Sequence, residues 1–168
     1  MQACPDELWS NTTQKPAWVD RSVVGFWHLV YHTLFWLDFY SSESEQGFVP
    51  PAPFTLDELD PAGLLPERPY TRDELQRYLD HGRKKCRAAI EALTDEKAHA
   101  QRKLSSGEVC GAELILYNMR HVQHHAAQLN LLLRQTIDSA PAWVAKTRSL
   151  GSRLRARAAR WRTKIPVV

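Results

Sequence analysis

Apolar positions recur along this chain at the helical period, not the strand period. Val23, Phe26, Trp27, Val30, Leu34 and Leu37 fall at helical intervals. They predict a helix from Arg21 to about Ser41, capped by Asp20. Aromatic residues also lie off that stripe, so this helix is expected to be buried on most sides. Thr71-Arg72-Asp73-Glu74 has the form of a capping box, with Thr71 at the N-cap and Glu74 three positions on. It opens a second helix to about Leu93, with Leu75, Tyr78, Leu79, Cys86, Ile90 and Leu93 inward. Ser105-Ser106-Gly107-Glu108 has the same form. It predicts a third helix through Leu114, Tyr117, His121, His125 and Leu132 to about Ile137, ended by Asp138, Ser139 and Pro141.

The segments between are of other kinds. Residues 1–17 are rich in turn formers and read as an irregular lead-in. Six prolines fall between Glu43 and Pro69, a density that rules out a regular helix because proline has no N–H to donate. That span is expected to be a long crossover with one short turn at Leu56–Leu59. Thr94 to Leu104 is polar and reads as a loop with a frayed helical continuation. No stretch alternates like a strand. Long helices around a Pro-rich crossover predict an all-α bundle. A candidate fourth helix lies at the C-terminus, where Leu150, Leu154, Ala158, Trp161 and Ile165 are spaced by four, four, three and four.

Charge divides the chain in two. Residues 146–168 hold eight Lys and Arg side chains and no acidic one, leaving 14 basic against all 19 acidic side chains before them, a net of about −5. The expected organisation is a helical domain over residues 1–145 and a basic amphipathic extension over 146–168. That extension could meet phosphates or an anionic membrane surface, although no recognition motif accompanies it. Three cysteines, Cys4, Cys86 and Cys110, are an odd number without C-x-x-C spacing, which points to a reducing compartment and no disulfide framework. Neither Cys86, read as a small core residue, nor Cys110 is assigned a catalytic role. No secretory signal is visible at the N-terminus. The longest apolar stretch, Val23 to Phe39, is broken by His28, His32 and Asp38, so no membrane span is expected. A cytoplasmic protein is the expectation.

Two pairs of histidines carry the candidate chemistry. His121 and His125 are four residues apart on a predicted helix, so both imidazoles leave one face and can reach one metal ion. His28 and His32 form a second pair on the first predicted helix. Both could ligate, closing a four-histidine structural site, or only one, leaving a position open for chemistry. Tyr117 and Gln128, each about one turn from a histidine, are candidates to hold the second ring nitrogen of a ligand. His124 points about 100° away from His125 and reads as a surface residue or as one that supports a ligand from behind.

Tyr31-His32-Thr33-Leu34-Phe35-Trp36-Leu37-Asp38 and the run from Leu116 to Asn130, Leu-Tyr-Asn-Met-Arg-His-Val-Gln-His-His-Ala-Ala-Gln-Leu-Asn, resemble the DinB-like superfamily of DinB/YfiT-like metalloenzymes. The resemblance covers roughly residues 3–145. It implies a DinB-like four-helix bundle holding a divalent metal ion through His32, His121 and His125, with no ligand at His28; neutral imidazole donors suit Zn, Ni or Fe. It also implies that Cys4-Pro5-Asp6-Glu7-Leu8-Trp9 follows the bundle's first helix, so that most of that helix is truncated here. The basic tail could fill the vacant place, in this chain or in a partner. Some proteins resembling this chain are thiol-dependent transferases. The expected function is therefore a metal-dependent transferase or hydrolase, with a small-molecule thiol as a candidate partner and a homodimer as a candidate assembly. The alternative is a non-catalytic, metal-stabilised stress or interaction protein.

Overall fold

The structure is a computed structural model and describes residues 1–10, 25–104, 107–142 and 144. Its elements are α1 (Asp6–Trp9), α2 (Phe26–Tyr40), a 3-10 turn (Asp57–Leu59), α3 (Arg72–Glu91), α4 (Asp95–His99), β1 (Gln101–Leu104), β2 (Gly107–Cys110) and α5 (Gly111–Ile137). The all-α expectation holds, apart from one two-stranded hairpin. No helix among the described residues is long and apolar enough to cross a membrane. The expected cap at Asp20 and the expected C-terminal helix lie outside the described residues.

α2 is the central element. Twelve of its fifteen residues are buried, Tyr31 and Phe35 completely, as aromatics on every face of one helix require. Its neighbours run in opposite senses. Trp27 and Tyr31 meet Tyr70, just before α3, while Asp38 meets Tyr78, His81 and Lys85 within it. Positions therefore advance together, and α3 is parallel to α2. On α5 the order is reversed: Tyr117 lies beside Tyr40 and His125 beside His32, so α5 is antiparallel. Parallel neighbours need a long connection, which residues 41–71 supply. Their Pro-rich path includes the expected short turn and seats Phe48, Phe54 and Tyr70 in the core.

Local chemistry explains where the helices start and stop. Thr71 and Glu74 form the expected capping box, each side chain bonding the other's backbone N–H. Asp138, in the left-handed conformation at φ 50°, closes α5. The lead-in is more ordered than expected: α1 is one helical turn, led by Pro5 and two acidic residues. It buries Leu8 and Trp9, and the Trp9 indole donates to the Tyr70 carbonyl at 3.0 Å.

Two expectations are corrected. Ser105-Ser106-Gly107-Glu108 does not open the last helix. Leu104 pairs with Gly107 and Gln101 with Cys110 in an antiparallel hairpin. Ser, Gly and an acidic residue suit a turn as well as a cap, and Gly107 takes φ 131° at the hairpin's return. The helix starts at Gly111 because α4 packs against that point. A Cβ at Gly111 would lie 2.2 Å from the Lys97 carbonyl oxygen, and the Gly111 N–H donates to Ala100 O at 3.1 Å. The residues expected as loop are thus a short helix and a strand. Second, Ile90 and Leu93 at the end of α3 are not inward but exposed. Among the described elements none packs over them.

Candidate metal centre

His32 lies on the face of α2 that also carries Trp36 and Tyr40, at steps of four residues. His121 and His125 lie on the facing side of α5. Because the two helices are antiparallel, the three rings meet. His121 Nε2 is 3.3 Å from His32 Nε2 and 3.1 Å from His125 Nε2. One nitrogen from each ring falls within 4.8 Å of the others. Two nitrogens bound tetrahedrally to one ion at 2.0–2.1 Å would stand about 3.3–3.4 Å apart, so the observed separations fit a shared ion. The His32 side chain is 26% exposed, which leaves a path from solvent to the cluster.

Each ring has a different partner on its far side. Glu58, from the 3-10 turn of the crossover, accepts from His32 Nδ1 at 2.7 Å and from the Trp36 indole at 3.0 Å through Oε2. Its other oxygen lies 3.5 Å from His28 Nε2. Burial pushes the Glu58 carboxyl up, but its bond to His32 and the nearby imidazoles outweigh this and hold it below the usual carboxylate range. An ionised carboxylate only accepts, so His32 Nδ1 carries a proton and donates it to Glu58, and the tautomer with its proton there turns the Nε2 lone pair to the cluster. Gln128 Oε1 lies 2.7 Å from His125 Nδ1 and orients that ring in the same way. His121 Nδ1 is buried with no hydrogen-bond partner among the described residues.

Hydrogen bonding among the three rings cannot satisfy them all. With protons on Nδ1, His32 and His125 present only lone pairs, and His121 Nε2 can donate to one of them at most. Protonation is no remedy. Burial, followed by the neighbouring imidazoles, lowers the His121 pKa to about 3. Burial, partly opposed by the Gln128 bond, lowers that of His125 to about 4. His121 and His125 are therefore neutral near pH 7, the state in which imidazole binds metal. A cation at the centre would engage all three lone pairs.

Of the residues expected here, His32, His121 and His125 come together and Gln128 holds a ligand-face histidine. His28 sits behind Glu58, outside the cluster. Tyr117 does not reach a histidine ring nitrogen; it packs edge-on against Tyr40, with centroids 5.1 Å apart, and Tyr40 stands beside His121. His124 is exposed. Glu58 was not anticipated. The available signal was an acidic residue in the one predicted turn of the crossover, together with the need of a ligating histidine for an acceptor.

A family model described as the DinB superfamily matches residues 22–129. No curated protein and no solved structure matches the chain. The matched span contains α2, α3, the hairpin, Glu58 and all three clustered histidines, and exceeds half of the sequence. The chain belongs to the DinB superfamily.

Proposed function

We propose that His32, His121 and His125 bind one divalent metal ion and leave an open coordination position for metal-dependent chemistry. The observation that carries this reading is the meeting of three imidazoles whose hydrogen bonds cannot be completed among themselves. Nitrogen donors suit Zn²⁺, Ni²⁺ or Fe²⁺. An ion there would lower the pKa of a bound water towards about 7 or hold a thiol as thiolate. The chain's own contribution is orientation: Glu58 and Gln128 fix two rings, and the partly exposed edge of His32 admits a small molecule. A thiol-dependent transferase or a hydrolase fits such a centre.

The test is metal analysis of protein purified without added metal or a polyhistidine tag. About one ion per chain is expected, falling below a tenth in His32→Ala and His121→Ala. Wild-type metal content in both variants would refute the site. A second reading, a metal that only stiffens the protein, draws support from Glu58. The carboxylate at the cluster is already bonded to His32 and Trp36, leaving no free carboxylate there among the described residues. Metal removal separates the two. Stiffening predicts a large fall in Tm, whereas an open reactive centre predicts little change in Tm and lost turnover in a screen of low-molecular-weight thiols.

A further inference from the structure

Among the described residues two buried side-chain atoms have no hydrogen-bond partner, Asn118 Oδ1 and His121 Nδ1. Both belong to α5, one turn apart, and both side chains face α2. Asn118 meets Leu37 and Ser41 there, while His121 meets His32 and stands beside Tyr40. Buried polar atoms are rarely left unpaired, and side chains three residues apart on a helix are neighbours.

The Asn118 amide has one way round. Its nitrogen donates to the Leu37 carbonyl and to Ser41 Oγ, both at 3.3 Å. A carbonyl only accepts, so turning the amide over would set oxygen against oxygen. Oδ1 is therefore the end left over, and it needs a donor. The role of His121 Nδ1 depends on what Nε2 does. While the ring's proton lies on Nε2, shared with a neighbouring histidine, Nδ1 is an acceptor, and two acceptors do not bond. Once Nε2 gives its lone pair to an ion, the neutral ring carries its one proton on Nδ1. That is a change of tautomer with no change of charge. Nδ1 is then a donor, and the unpaired acceptor on its own helix is one turn back.

We propose that Asn118 is the positioning residue of the third ligand: its Oδ1 accepts from His121 Nδ1–H and holds that ring for the ion, as Glu58 holds His32 and Gln128 holds His125. The inference rests on the three-histidine reading above. Reach supports it. Cβ atoms at this spacing are about 5–6 Å apart, and each of the two atoms sits on the Cγ of its own side chain. The Asn118 nitrogen's bonds, at 3.3 Å, are long for N–H···O, so the amide has room to turn. Burial supports it too, because Asn118 is only 5% exposed and bulk water does not supply the missing donor. Through Leu37 and Ser41 the same amide ties α5 to α2, so the third ring is set by the contact between the two helices that carry the ligands.

The test uses the full chain loaded with zinc. Asn118→Leu and Asn118→Asp both lose the amide's bonds to Leu37 and Ser41, but only the second keeps an acceptor. Asn118→Leu should bind zinc about 10–100-fold more weakly, while Asn118→Asp binds at least as tightly as wild type. A purely structural Asn118 predicts that the two variants fall alike, and that result would overturn the proposal. Ring NMR of the wild type is a second readout that needs no variant. A slowly exchanging His121 Nδ1 proton with a nuclear Overhauser contact to the Asn118 amide protons is expected. The same proton without that contact would assign the bond to another acceptor and sink the idea. A wild type that took up no zinc would remove the three-histidine reading and this inference with it. Zinc bound without these signs removes the inference alone and leaves the metal centre standing.

Discussion

Two polar clusters flank α2, and they are built on opposite rules. Asp38 is completely buried, yet every group that meets its carboxylate is a donor. Lys85 and His81 approach Oδ1, and the Tyr78 hydroxyl donates to Oδ2 at 3.2 Å. The Lys85 ammonium also lies 5.1 Å from the centre of the Phe48 ring. That cluster satisfies itself and ties α2 to α3. Around His32, His121 and His125 the groups are alike, and like confronts like. Buried groups that complete one another belong to the fold, whereas half-buried groups that oppose one another call for something from outside. Burial alone does not separate the two cases; the signs of the partners do.

The sharpest way to break this comparison is Asp38→Asn. The amide keeps the shape but leaves the Lys85 ammonium facing a neutral group. Breaking a buried ion pair costs about 3–5 kcal/mol, and Lys85, partly open to water, should place the loss near about 3. Urea unfolding measures it. The same variant should bind metal with unchanged stoichiometry. If Asp38→Asn lost metal while its fold was intact, the two clusters would be one system and the contrast would fail.

How much of this could be read from the amino-acid sequence depends on the distance over which each feature acts. The start of α3 was readable because Thr71 and Glu74 complete each other within one turn. The His121 and His125 pair was readable because four residues on a helix fix a common face. His32 was matched to them through family resemblance, since no local rule spans the 89 residues from His32 to His121. Glu58 escaped because its partners are 22 and 26 residues away across an irregular crossover. The hairpin escaped because Ser-Ser-Gly-Glu satisfies two local rules at once, and the close packing of α4 on Gly111 decided between them. Ile90 and Leu93 followed a helical stripe correctly, but a stripe records an apolar face without saying what covers it.

Glu58→Gln sharpens the comparison at a smaller scale. If Glu58 serves the histidine cluster by orienting His32, its loss should weaken metal binding without abolishing it. Partners that orient a ligand are worth about 10–100-fold in affinity, or about 1.4–2.7 kcal/mol. The amide oxygen can still accept from His32 Nδ1, so the lower end is expected. Competition with a chelating dye reads the change. Affinity equal to wild type would mean that Glu58 belongs with Asp38, as a purely structural carboxylate.

The smallest expected effect lies in the pH dependence of the metal-free protein. His121 and His125 have folded-state pKa values lowered to about 3 and about 4 from the ordinary 6.5. Between those values the unfolded chain binds more protons than the folded one, so stability rises with pH across the window. It is greatest above about pH 6.5 and is lost progressively as pH falls towards 3. Both rings are partly exposed, so solvent screening keeps the slope modest. Urea midpoints of metal-free protein should be lower at pH 5 than at pH 7. Replacing both rings in the H121N/H125N double variant should flatten that difference, because asparagine takes up no proton in the range. An equal pH slope in the double variant would assign the dependence to other groups, and the claim that burial, with the neighbouring imidazoles, holds these rings neutral would go with it.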